Sequence, residues 1–408
     1  MIKNFKRYKQ TIFGLKKKIN KVKVNFIYNI LSFCIFLGSQ QLILMPIISK
    51  KYSETLFSET IFNFTIVTFF GCFMVYSLGD TFLAKLKDNK DTIKIFESIF
   101  RIIIIIILLC LFICTILFAI NYIILLFVLL LSFLRIWSEF IYRYEEKYEK
   151  ILQQNIFYFV GSLLILLPVD NISNDPMIHF FVAEIFSLII YYKKIFKLFM
   201  EEFLVDKNIL KDYTIYSLQY GLHNIIDHGD RLFLYTLFSP YMLNSYYALT
   251  VSSKCLYLFI TPVRAVLASM MAKKNDSEKN YIIDYLFKIS KKSFVILFVC
   301  ALLSIFFAMY FLYNIYLDDN LSNIAIVALA TSIGCLSYIY HMVCMRYVEA
   351  NRLLYISIFR LVLLIIIGYP LTTYFKIKGF LISLVILNIA IMACYFTILR
   401  KLKQLNVG

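Results

Sequence analysis

Twelve apolar runs, each about as long as a bilayer crossing, leave this chain few folds to choose from. They lie near residues 24–48, 56–79, 98–119, 122–142, 151–169, 177–199, 213–238, 243–272, 289–312, 322–345, 353–374 and 378–399. A membrane-spanning helix needs about 20 mostly apolar residues. Twelve of them take up most of the 408 residues and leave only short connections. At 61% hydrophobic, 16% charged and a mean hydropathy of +0.77, the chain is far from soluble composition. Gly (11) and Pro (6) are scarce, which suits long helices. The sequence therefore predicts an all-α polytopic membrane protein with 12 transmembrane helices. The first run, Val24 to Ile48, is too long for a signal-peptide core and has no small-residue cleavage site. It reads as an uncleaved first span.

Charge supports this count and orients it. The formal net charge is +17, which in a soluble protein would raise nucleic-acid binding. Here 33 of the 42 Lys and Arg fall in or beside the two tails and alternate connections, and four fall in the connections between. That alternation reads as a membrane orientation signal, with no nucleic-acid partner. The positive-inside rule then places both termini in the cytosol. The polar stretch from Lys193 to Asp212 divides the spans six and six. The expected organisation is a basic tail (1–23), a six-helix bundle (24–199), a linker (200–212), a second bundle (213–399) and a tail (400–408). Six spans per half give both halves the same orientation, as in transporters with parallel repeats.

An ionisable group within a span costs several kcal/mol and is a functional candidate by default. The fourth span carries Arg135 and Glu139, the sixth Glu184, the eighth Lys254 and Arg264, the tenth His341 and the eleventh Arg360. The seventh is richest, with His223, Asp227, His228, Asp230 and Arg231. His223, Asp227, Asp230 and Arg231 follow i, i+4, i+7, i+8 spacing and share one helical face. Such a face belongs at a cavity or a partner helix, with Lys254 a plausible co-ligand. Structural ion pairing competes with a transport role for each group, most strongly for Arg135 and Glu139. Asn25, Asn29 and Ser32 on the first span and Asn63 on the second form polar stripes. These serve either as glue between helices or as cavity lining. Arg135, Arg231, Lys254, Arg264 and Arg360 together suggest a cationic cavity suited to phosphate oxygens.

No Gly-rich phosphate loop, metal motif or nucleophile elbow occurs, and the connections on the less basic side are short. Both points argue against an enzyme. The nine cysteines all lie inside apolar runs without metal or redox spacing and read as small core residues. No cofactor is expected.

Two stretches resemble a known family. Leu42-Ile43-Leu44-Met45-Pro46-Ile47-Ile48-Ser49-Lys50-Lys51-Tyr52-Ser53, leading to Phe57, is similar to the turn between the first two spans of polysaccharide transporters, or O-antigen flippases. Asp230-Arg231-Leu232-Phe233-Leu234 through Ser245-Tyr246-Tyr247 is similar to that family's seventh and eighth spans. Ser58 and Ser245 stand where the family usually has Gly. This family is part of the multidrug/oligosaccharidyl-lipid/polysaccharide (MOP) superfamily. The resemblance implies a MATE-like, V-shaped pair of six-helix bundles in the bacterial inner membrane. It implies alternating access and flipping of an undecaprenyl-pyrophosphate-linked oligosaccharide to the outer leaflet. It further implies coupling to a proton or sodium gradient, with Asp227, Asp230 and Glu139 as carriers, and polysaccharide polymerase and chain-length proteins as partners. A drug or metabolite exporter of the same superfamily, or a polytopic polymerase, is the alternative.

Overall fold

The computed structural model describes residues 24–25, 27–85, 90–118, 123–166, 175–200, 202–227, 229–237, 240–251, 256, 260, 279–313, 321–348 and 350–404. All regular structure among the described residues is helical. That is the expected response to a bilayer, where every backbone N–H and C=O must be satisfied within its own segment.

The first half begins with α1 (Ile27–Lys51). Helix α2 starts at Glu54–Phe70 and continues through Gly71–Tyr76 into Ser77–Lys85. Helices α3 (Lys90–Phe118), α4 (Ile123–Tyr144), α5 (Tyr148–Leu163), α6 (Met177–Leu188) and α7 (Tyr192–Met200) follow. The second half holds α8 (Lys207–Asp227), α9 (Gly229–Leu237), α10 (240–251), α11 (Lys279–Phe307, extended by Ala308–Leu312) and α12 (Leu321–Tyr347). It ends with α13 (Ala350–Leu363, extended by Leu364–Gly368) and α14 (Tyr369–Gln404). Six helical stretches among the described residues are long and apolar enough to cross a bilayer.

Most helices fall where the hydrophobic runs place them, with two local differences. The run 177–199 is not one helix. Helix α6 ends at Leu188, and three residues with short-range bonds, such as Tyr191 N–H to Leu188 O (2.9 Å), lead into α7. One turn earlier the Ser187 hydroxyl donates to the Glu184 carbonyl at 2.7 Å, the local back-bonding by which Ser bends helices. The run 213–238 holds α8 and α9, and residue 228 between them lies outside the described residues. The last helix extends to Gln404, into the expected tail. The turn expected near residues 375–377 is present within α14. Lys376 has φ 52° and ψ −136°, and Leu371 O lies 1.9 Å from where a Cβ on Gly379 would sit. The backbone doubles back tightly enough that only Gly fits there.

Four π-helical turns interrupt the helices, at Ser39–Leu44, Gly71–Tyr76, Ala308–Leu312 and Leu364–Gly368. The first two matter for the site described below. A π turn shifts the carbonyl pairing and can leave main-chain oxygens available to a neighbour.

Lipid tails are as apolar as Leu, so close packing and polar contacts must hold the helices together. Gly161 on α5 faces Ala183 on α6, where an added Cβ would lie 2.9 Å from the Ala183 Cα. Asn155 on α5 donates to the Ser32 hydroxyl of α1 at 2.7 Å. Ser32 therefore serves as inter-helix glue. A large buried core links residues of both halves, from Phe36 and Trp137 to Tyr246 and Phe380. A smaller cluster around Tyr340, Leu353 and Tyr395 closes the basic end of the second half.

Replacing Gly161 with Ala should lower thermal stability in detergent by about 1–3 kcal/mol, the usual cost of overpacking, because the opposing atom is backbone. Gly38→Ala has open space around its Cβ and serves as the control, with an expected change near zero. Equal effects of the two on the melting curve would contradict this packing.

Candidate functional site

Two buried polar clusters lie on either side of α1, which links them. The first is centred on Arg135. Helix α4 carries Arg135, Ser138 and Glu139 on one buried face, and α6 presents Glu184. The Arg135 Nε donates to both Glu184 oxygens, at 2.9 and 3.2 Å, and Nη1 donates to Glu139 Oε1 at 2.8 Å. All three residues are at most 5% exposed. The guanidinium also lies 3.9 Å from the Phe36 ring centroid of α1, within cation–π range. Arg143 reaches the second Glu139 oxygen at 3.4 Å. Ser138 and Gln154 bond to each other beside this group.

Glu184 thus has a partner that its flanking sequence does not reveal. The charge of Arg135 is matched twice over. In this structure it contributes no surplus positive charge to a cavity, so the expected cationic role of Arg135 gives way to ion pairing. Glu139 stays close to that pair.

The second cluster lies at the seam between the halves. Asp230 and Arg231 open α9, and Tyr246 and Tyr247 sit on α10. Their adjacency on the helix turns them to different partners. Asp230 accepts from the Arg231 backbone N–H at 2.8 Å and from the Tyr246 hydroxyl at 2.5 Å. The Arg231 guanidinium lies 4.6 Å from the Tyr247 ring centroid. Arg231 is 3% exposed, its Nε has no hydrogen-bond partner, and no carboxylate among the described side chains, which do not include that of Asp227, is within ion-pair distance of it.

Adjacent glutamines in the first π turn of α1 connect the clusters. Gln40 donates to the Tyr158 hydroxyl at 3.1 Å, beside Arg135. Gln41 accepts from the Tyr247 hydroxyl at 2.6 Å, beside Arg231. Near the same end of the molecule, Asn244 donates to the Glu54 carbonyl at 3.1 Å. Phe57 and Tyr313 pack against Tyr247, and Phe62 stacks on Tyr235 at 4.4 Å. Toward the basic end, the second π turn presents its carbonyls to α8. Ser217 donates to Phe73 O and Tyr213 to Met74 O, each at 3.1 Å. Gly221 allows the close approach, since a Cβ there would meet the Phe73 ring at 2.6 Å. Helix α2 therefore touches the second half along its length.

Other expected site residues lie apart from these clusters or outside the description. Arg360 is half-buried and donates to Asn388 Oδ1 at 3.4 Å. Asn25 and Asn29 are half-buried on the first helix and Asn63 is half-buried on α2. Lys254 and Arg264 fall outside the described residues, as do the side chains of Asp227, His223 and His228. Tyr246 and Tyr247 belong to the family-like stretch quoted above, whereas Tyr158 and Gln154 were not singled out from sequence, Tyr158 because 31 tyrosines dilute any one of them. The Gln40-Gln41 pair in an apolar helix was the legible signal.

No protein-family model matches the chain, and no curated protein matches it. Solved structures do. A MATE transporter in its straight conformation aligns with a TM-score of 0.68 at 13% identity, covering 94% of this chain and 96% of that one. The chain has the MATE transporter fold. A MOP superfamily transporter from Pyrococcus furiosus, for which a binding pocket of reverse polarity is described, aligns with a TM-score of 0.67 at 14% identity, covering 93% and 95%. An outward-facing multidrug-resistance MATE transporter of the same superfamily gives 0.66 at 15%, covering 93% and 95%. These coverages extend the MATE fold over nearly the whole chain.

Arg135→Ala should cost about 3–5 kcal/mol of stability, since it strands two buried carboxylates. Arg135→Lys should recover little, because an ammonium cannot make the forked contact. Denaturation in detergent checks both, and full recovery by Lys would argue against the bidentate pairing.

Proposed function

We propose that this chain is an alternating-access membrane transporter whose cargo is an anionic, lipid-linked oligosaccharide, flipped from the cytosolic to the outer leaflet. The observation that carries the reading is Arg231. A buried guanidinium with an unsatisfied Nε, between helices of the two halves and with no carboxylate partner among the described side chains, suits a phosphate oxygen. The hydroxyls and amides around it, from Tyr246, Tyr247 and Gln41, suit a sugar. The MATE fold supports transport, and it is equally compatible with export of drugs.

In this reading residues 24–199 and 213–399 are the two bundles, 200–212 link them, and both termini lie in the cytosol. Lys254 and Arg264 join Arg231 in the cationic path. Alternating access breaks one seam at a time. At the end bearing the 52–53 turn, the Gln41–Tyr247 and Asn244–Glu54 bonds would separate. At the basic end, the bonds from Tyr213 and Ser217 to the π turn of α2 would do so. Each is a neutral hydrogen bond with a net worth of about 0.5–1.5 kcal/mol, which suits contacts that are made and broken in turn. Glu139, Asp227 and Asp230 are the candidate carriers of a coupling proton or sodium ion. Polysaccharide polymerase and chain-length proteins would receive the product.

Gene deletion with complementation tests this. Deletion should abolish surface glycan and trap lipid-linked repeat units on the cytosolic leaflet. Wild type should restore translocation. Arg231→Ala, at matched protein level, should restore at least tenfold less, and Arg231→Lys should recover part of it. Unchanged glycan with new sensitivity to cationic drugs would instead make the chain an exporter.

A further inference from the structure

Away from the seam, α11, α12 and α14 enclose a groove of about 540 Å³. That is within the roughly 300–1,000 Å³ typical of small-ligand sites. Its walls are Phe294, Ile333, Leu336, Met392 and Phe396, so its interior is apolar. Ile389 (52%) and Phe396 (39%) are exposed at its edge, so it opens outward to the bilayer. On α14 the lining runs from Ile389 to Thr397, about 12 Å at 1.5 Å per residue. That is close to one leaflet of a ~30 Å hydrocarbon core.

The two ends of the groove differ in chemistry. One is wholly apolar and lies at mid-helix. The other meets Lys291 on α11 and Thr397 on α14. Lys288 stands one turn before Lys291, and Arg400 and Lys401 stand one turn beyond Thr397 and two turns beyond Ala393 on the same face of α14. All four cations are exposed. The hydroxyls beside them are already engaged, Ser290 with Leu286 O and Tyr340 and Thr397 with Ala393 O. The basic side chains are therefore the donors that face a ligand here. Lys403, bonded to Asp284 at 2.6 Å, ties the two helices together just past this collar. A basic collar above an apolar slot matches a negatively charged head group above an acyl chain. Basic pockets between membrane helices on the cytosolic side recognise anionic lipid in this way.

We infer that this groove is a binding site for one anionic phospholipid of the cytosolic leaflet, its phosphate held by Lys291, Arg400 and Lys401 and one acyl chain lying along Leu336, Met392 and Phe396. The site is separate from Arg231 and does not depend on what the protein transports.

The test uses the full chain, delipidated in detergent, with phosphatidylglycerol and phosphatidylcholine of identical acyl chains. Native mass spectrometry should show one phosphatidylglycerol retained at least fivefold more than phosphatidylcholine. Lys291→Glu combined with Lys401→Glu lies on the exposed surface and should erase that preference. Ala393→Trp should fill the slot and remove retention of either lipid. Equal retention of the two lipids, or an unchanged preference in the charge-reversed protein, would overturn the assignment. Displacement of phosphatidylglycerol by equimolar undecaprenyl phosphate would also overturn it, by giving the slot to a polyprenyl chain.

Discussion

A single guanidinium organises the first half of the molecule. Arg135 is almost wholly buried, and two carboxylates from two helices converge on it. Removing three charges from water is expensive, and their mutual attraction offsets that only when the geometry is good. The geometry here is forked on one side and single on the other, with an aromatic face beneath. Helices α4 and α6 are fixed in register by it, and α1 and α5 follow through Phe36, Tyr158 and Gln40. Such a network specifies one arrangement of helices in a medium where apolar contacts alone would tolerate many.

Against that rigid half, the seam is built differently. Its contacts are hydroxyl-to-carbonyl and hydroxyl-to-amide bonds and stacked rings. Strong ionic bonds hold within a half, and weaker neutral bonds run between halves. That division is what two bodies need if they are to move against each other without losing their own shape.

The architecture was largely legible in the sequence because the bilayer imposes few solutions. Apolar length indicated the all-helical architecture. Small-scale breaks were less legible. The interruption at 189–191 contains no Gly or Pro and follows a back-bonded Ser187, a choice between nearly equal local bonds. Of the site, the spacing of Asp230 and Arg231 correctly implied that each faces elsewhere. Glu184 gave no hint of Arg135, since 49 residues separate them and only packing brings them together. Tyr158 was hidden by the abundance of its own kind.

The π turn at Ser39–Leu44 has one more implication. Two neighbouring glutamines in one helix bond to opposite halves of the molecule, Gln40 to Tyr158 and Gln41 to Tyr247. Rotating α1 to release one side chain also displaces the other. The arrangement of the Arg135 cluster and that of the Arg231 cluster are then not independent. By thermodynamic reciprocity, whatever free energy one event lends the other is returned in equal measure. One helix thus ties the two halves together through a pair of adjacent residues.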